Sequence, residues 1–140
     1  MVVVAVSGGF DPVHKGHIEL FNEAKKLGDT LIVILNNDNW LMKKKGYVFM
    51  SQEERKFILE NLKAVYAVVL TEHEENPIEM TVCNALMKLK PDIFANGGDR
   101  KSFNTPEDSI CNELNIKMAF NVGGEKTQSS SWLVDKVRKQ

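Results

Sequence analysis

An aliphatic, β-branched run from Met1 to Val6 stops abruptly at Ser7-Gly8-Gly9, and helical spacing begins at His17. This order limits the fold more than any other feature of the chain. A buried strand that feeds a helix through a glycine turn is the opening of a crossover unit, and crossover units build parallel sheets. The rest of the sequence continues the alternation. Ile18, Phe21, Ala24 and Leu27 fall on one helical face, and Gly28 supplies a stop. Thr30–Asn36 is a second continuous apolar strand, followed by a polar, lysine-bearing loop over Asn37–Val48. Ser51 with Glu54 makes a capping-box pattern that opens a helix to about Leu62. Ala64–Leu70 predicts a third strand, Ile78–Leu89 a helix and Asp92–Asn96 a short fourth strand. Asn104–Leu114 predicts a helix, Lys117–Val122 a fifth strand, and Ser130–Lys139 a C-terminal helix.

Strands that are apolar throughout, not alternating, are covered on both faces. The expectation is therefore one doubly wound α/β domain, residues 1–140, with a parallel sheet of Rossmann-like type. Ligands of such sheets collect beyond the C-terminal strand ends, where strand order reverses. The loops after Ser7, Asn36, Asn96 and Val122 all fall at that edge.

Composition narrows the function. With 43% hydrophobic and 26% charged residues the chain reads as a soluble globular protein. A formal net charge of −1 argues against a general nucleic-acid binder, so phosphate chemistry would rest on locally placed cations. No apolar run is long enough to span a bilayer, and no signal peptide is visible, so the expectation is a cytoplasmic protein without a membrane partner. Cys83 and Cys111 lack a CxxC pairing and read as free thiols of a reducing cytoplasm.

The chemistry concentrates in Ser7–His17, SGGFDPVHKGH. A strand-to-helix junction offers backbone N–H groups and the positive end of the helix dipole to an anion. Gly8, Gly9 and Gly16 let the backbone approach a ligand closely. His14 and His17, an i, i+3 pair, can direct both imidazoles at one spot. Imidazole N–H donors suit charge building on a pentavalent phosphorus, with no nucleophile needed from the protein. Two histidines without a nearby Glu or Cys make a poor zinc site, and the protein by itself offers no metal-ligand set. The P-loop pattern GxxxxGK[ST] and the dinucleotide pattern GxGxxG are both missing, which argues against a P-loop NTPase or a redox Rossmann enzyme.

GGFDPVHKGH resembles the GxFDxxHxGH signature of the cytidylyltransferase-like nucleotidyltransferases, with His14-Lys15-Gly16-His17 as its HxGH. The resemblance implies attack of a substrate phosphate oxygen on the α-phosphate of an NTP, with inversion and no covalent enzyme intermediate. His14 and His17 would stabilise the transition state, while Asp11 would order the loop or the metal-bound triphosphate. Gly8, Gly9, Phe10, Asp11 and Gly16 would form the phosphate-binding loop. Mg²⁺ would arrive with the triphosphate, as the only cofactor.

Blocks downstream extend the resemblance over nearly the whole chain. KKLGDTLIVILNNDNWLMKKKG is similar to the family's second block, with Asp38 as its Asp. One of Lys43, Lys44 and Lys45, preferably Lys45, would meet the β,γ-phosphates or the substrate phosphate. SQEERKFILENLKAV is similar to the E-x-R segment, with Arg55 serving nucleotide phosphates or a subunit contact. Tyr66 stands where the family often has Asp, and no role is assigned to it. In KPDIFANGGDRK, Gly97, Gly98 and Asp99 would shape the nucleotide pocket, and Arg100 would address a substrate phosphate. In GGEKTQSSSWLV, Ser129, Ser130 and Ser131 match the IS-[ST]-T segment and would cap the last helix and hold phosphate oxygens, with Lys126 nearby.

LGDTLIV, KPDIFANGGDRK and the serine block look most like heptose-phosphate adenylyltransferases, and the length and the GGFDPVHKGH loop also resemble glycerol-3-phosphate cytidylyltransferases. ATP and CTP both remain open, and the expected acceptor is a phosphorylated sugar or polyol. Phosphopantetheine or nicotinamide mononucleotide adenylyltransferase is the alternative enzyme, and a non-catalytic nucleotide-binding regulatory module the alternative outside catalysis. The family often forms dimers, for which Trp40 or Trp132 are candidate contacts if they do not pack internally.

Overall fold

In a computed structural model the chain is described over residues 1–97, 105–123 and 130–138, with no account of the side chains of 130–132. The elements run β1 (Val3–Gly8), α1 (Lys15–Lys25), β2 (Thr30–Leu35), α2 (Asp38–Lys45), α3 (Gln52–Glu60), β3 (Ala67–Leu70), α4 (Cys83–Leu89), β4 (Ile93–Ala95), α5 (Pro106–Glu113), β5 (Lys117–Ala119) and α6 (Ser130–Arg138). The strands form one sheet in the order β3-β2-β1-β4-β5, and each pairing is parallel.

Alternation along the strands feeds two cores. Val4, Val6, Leu31, Val33, Leu35 and Val68 face α1 and α3, meeting Phe21, Ala24 and Leu59. Ala5, Ile34 and Phe94 face the other way, onto Leu86 of α4 and Cys111 of α5. Helices thus cover both faces, as the apolar strands require. Strand order reverses beside β1: the chain builds outward through β2 to β3, then returns to place β4 on the other side. The β1–α1 and β4–α5 connections leave toward opposite faces, which opens a crevice at the C-terminal strand ends. Both cysteines are free, Cys111 buried and Cys83 half-buried. Burial pushes the Cys83 thiol above its ordinary value.

Several sequence expectations change. The segment expected to be a loop over Asn37–Val48 holds α2. Only Leu41 of α2 is buried, so no apolar stripe announces the helix. It stands on its ends instead: Asn37 Oδ1 accepts from Trp40 N, Asp38 lies in the first turn, three lysines lie in the last, and Gly46 closes it at φ 80°. The helix expected over Ile78–Leu89 begins only at Cys83, and Ile78 is 95% exposed. On α1 the buried residues are Phe21 and Ala24, whereas Ile18 and Leu27 lie largely outside the core. Gly28 is not a left-handed stop, because α1 is capped by Lys26 in right-handed geometry. A Cβ at Gly28 would lie 2.8 Å from the Val2 carbonyl oxygen, so glycine is required there by the closeness of β1.

Candidate functional site

The crevice is built around the loop from Gly8 to His17. His14 is the N-cap of α1, and the two histidines hold the helix start reciprocally. His14 Nδ1 accepts from Gly16 N at 3.1 Å, and His17 Nδ1 accepts from His14 N at 3.2 Å. Their rings stack with centroids 3.7 Å apart. Because each Nδ1 accepts a backbone N–H, each neutral ring carries its proton on Nε2. The i, i+3 pair therefore stacks two imidazoles at a helix N-terminus, a place suited to an anion.

Phe10 was expected in the phosphate-binding loop, and the structure turns its side chain inward. The side chain is 5% exposed, held at φ 49°, and its ring meets His17 edge-on at 4.8 Å and Phe21 at 5.2 Å. A left-handed aromatic residue is strained, and here the strain places a ring beneath the second histidine. The glycines answer to protein neighbours as well. A Cβ at Gly8 would lie 2.8 Å from Phe10 Cζ, one at Gly9 would lie 2.9 Å from Leu41 Cδ2, and one at Gly16 would press on His14.

Asp11 and Arg55 are fully buried. The Asp11 carboxylate accepts from Phe49 N and Met50 N, each at 2.6 Å. It thereby ties the β1–α1 loop to the segment ahead of α3. Arg55 does not serve nucleotide phosphates or a subunit contact, because its guanidinium is spent inside. Nη1 donates to Gly9 O and Asn36 O at 2.7 Å, Nε to Met50 O at 3.0 Å, and Nη2 to Asp38 Oδ1 at 2.7 Å. One side chain thus ties together the β1 loop, the end of β2, the first turn of α2 and the approach to α3. Asp38, expected near substrate, is the partner of this clamp. A buried cation is tolerable only when its donors are met, and here all three nitrogens have acceptors.

The lysine run ends α2. Lys43 Nζ donates to Asn76 Oδ1, Lys44 is exposed, and Lys45 is the half-buried one of the three. Trp40 packs inward: its Nε1 donates to Met80 O at 2.8 Å, and its ring lies against Gly9. Gly97 follows β4 at the same edge of the sheet as Gly8. Gly98, Asp99, Arg100, Lys126 and Ser129 lie outside the described residues, as do the side chains of Ser130, Ser131 and Trp132.

Sequence reasoning missed a group of polar residues that hold α2 from behind: Asn37, Asn39, Thr71 and His73. Asn37 N donates to Thr71 Oγ1, and the side-chain amides of Asn37 and Asn39 both donate to His73 O. No spacing rule joins positions so far apart in the chain; only the pairing of β2 with β3 does. The side-chain oxygen of Asn36 is buried without a hydrogen-bond partner at the end of β2. No helix among the described residues is long and apolar enough to cross a membrane.

Comparison with known proteins agrees with this geometry. Residues 5–127 match the cytidylyltransferase-like family. The chain is 34% identical over 139 residues to the bifunctional protein HldE of Helicobacter pylori (strain HPAG1), a match that covers 98% of this chain and 28% of that protein. It is 34% identical over 130 residues to HldE of Aliarcobacter butzleri (strain RM4018), covering 91% and 26%. The chain therefore spans little more than a quarter of the length of these relatives. A crystal structure of the lipopolysaccharide core biosynthesis protein from Thermoplasma volcanium GSS1 superposes with a TM-score of 0.69 at 29% identity, over 86% of this chain and 93% of that one. With its HxGH junction at the crevice and its match over most of its length, the chain belongs to the cytidylyltransferase-like family of nucleotidyltransferases.

Proposed function

We propose that the protein transfers the nucleoside monophosphate of ATP or CTP to a phosphorylated sugar or polyol, releasing pyrophosphate by in-line attack without a covalent enzyme intermediate. The observation that carries this reading is the reciprocal cap of His14 and His17, which locks the two stacked imidazoles together at the N-terminus of α1. Donors fixed before the reaction stabilise charge on the α-phosphate without reorganising during transfer. The acceptor phosphate oxygen attacks phosphorus, the bond to the β-phosphate oxygen breaks, and pyrophosphate carries away that electron pair.

Mg²⁺ enters as part of the NTP substrate. The Asp11 carboxylate and Asp38 Oδ1 are engaged with backbone N–H groups and with Arg55, and the triphosphate oxygens would carry the metal. We read α2 as the acceptor-side wall of the crevice, with Lys45 at its end meeting the acceptor phosphate. A sugar-type acceptor draws support from the solved relative named for lipopolysaccharide core biosynthesis.

The test is pyrophosphate release from each of the four NTPs with Mg²⁺. The acceptors are glycerol 3-phosphate, heptose and other sugar 1-phosphates, phosphopantetheine and nicotinamide mononucleotide. Turnover with one NTP and one sugar or polyol phosphate is expected. Turnover confined to phosphopantetheine or nicotinamide mononucleotide would overturn the acceptor class. Folded protein that binds an NTP yet turns over none of them would overturn catalysis in favour of a regulatory module.

A further inference from the structure

His73 stands outside the crevice loop, on the segment that follows β3. Its Nε2 lies 3.0 Å from the Thr81 carbonyl oxygen, which can only accept, so Nε2 carries the proton. Nδ1 of the same neutral ring then accepts from the Thr71 hydroxyl at 2.8 Å. Thr71 Oγ1 in turn accepts the backbone N–H of Asn37, the N-cap of α2. The His73 carbonyl oxygen takes the side-chain amides of Asn37 and Asn39, each at 2.9 Å, and Trp40 Nε1 reaches Met80 O at 2.8 Å. The imidazole closes the segment 71–81 on itself, and the closed segment grips the first turn of α2.

Apolar packing holds this region only weakly. Leu41 is the one buried residue of α2, and Ile78 is 95% exposed. An open pocket of about 750 Å³ lies between the segment and α4, lined by Thr71, His73, Glu74, Thr81, Ala85 and Lys88 among others. A helix with one core residue, beside a segment that borders an open pocket, depends for its position on directed hydrogen bonds.

We propose that His73 is a positioning residue for the acceptor side of the reaction. By bonding Thr71 and Thr81 at once it fixes the strap that sets α2, and so the placement of Lys44 and Lys45. This rests on the reading of α2 as the acceptor-side wall.

The experiment compares His73→Ala, His73→Gln and Thr71→Val in the full chain by hydrogen–deuterium exchange and by steady-state kinetics with the productive NTP and acceptor. In His73→Ala and Thr71→Val, exchange should rise about tenfold in 37–45 and 71–82 while β1 and α1 keep their protection. Acceptor KM should rise about tenfold, the scale of a small misplacement, while kcat and the NTP KM stay within about twofold. Gln keeps a donor for the Thr81 carbonyl and should recover part of both effects. Exchange that rises equally in β1 and α1, or an acceptor KM unchanged in the folded variants, would overturn the proposal. Absence of turnover in the unaltered protein would sink the transfer reaction instead. The exchange pattern would then decide the strap, and protection retained in 37–45 of His73→Ala would refute it.

Discussion

The two sides of the crevice are held by different physics. The histidine side rests on the core: Phe10 packs on Phe21, Asp11 and Arg55 are fully buried, and the glycines fit around their neighbours. The α2 side has one core residue and is held through its N-terminal turn, by Arg55 on one flank and the 71–81 segment on the other. The difference suits a two-substrate transfer. On the proposed function, groups that meet the developing charge must be rigid before the reaction, whereas a wall facing the acceptor gains from bonds that can be retuned without disturbing a packed core.

Removing Arg55 tests the rigid side most severely, because its clamp crosses to both. Arg55→Leu leaves the Gly9, Asn36 and Met50 carbonyls and the Asp38 carboxylate without their donor, and should cost about 3–5 kcal/mol. Urea denaturation reads the loss; a midpoint unchanged from the parent would show that the network is dispensable. His17→Ala probes the same side through catalysis. Turnover should fall about 10²–10³-fold with NTP affinity within a few-fold, since the donor is needed most when charge develops. An equal fall in both would assign the residue to ground-state binding.

Smaller effects sharpen the contrast. Gly9→Ala brings a Cβ to 2.9 Å from Leu41 Cδ2, the far end of a flexible side chain on α2. The soft wall should yield for about 1 kcal/mol, read by thermal denaturation, with acceptor KM altered more than NTP KM. A loss as large as that of Arg55→Leu would mean that α2 is packed rigidly after all. Asn36→Ala should be the mildest, under about 1 kcal/mol by urea denaturation, because the side-chain oxygen it removes is buried and unpaired.

The legible parts of this protein are those written in short-range patterns. The strand–glycine–helix opening, the apolar strands and the i, i+3 histidines follow from backbone periodicity, and the structure places both histidines at one helix start, as their spacing required. Element ends were less legible. The polar helix α2 has no apolar period to read, and the helix start moved from Ile78 to Cys83 because the preceding residues bond to α2 and to each other.

What the sequence by itself determined is therefore the sheet type and the HxGH junction, set by residue type at fixed local spacing, and, through its resemblance to the cytidylyltransferase-like family, the class of chemistry. The tertiary structure alone decided what the polar residues do. Arg55 resembled a phosphate ligand and became an internal clamp, Phe10 became a platform for His17, and His73 drew no notice until β3 lay beside β2. A charged or polar side chain takes its role from the donors and acceptors that strand order brings within about 3 Å of it, and no local pattern encodes that neighbourhood.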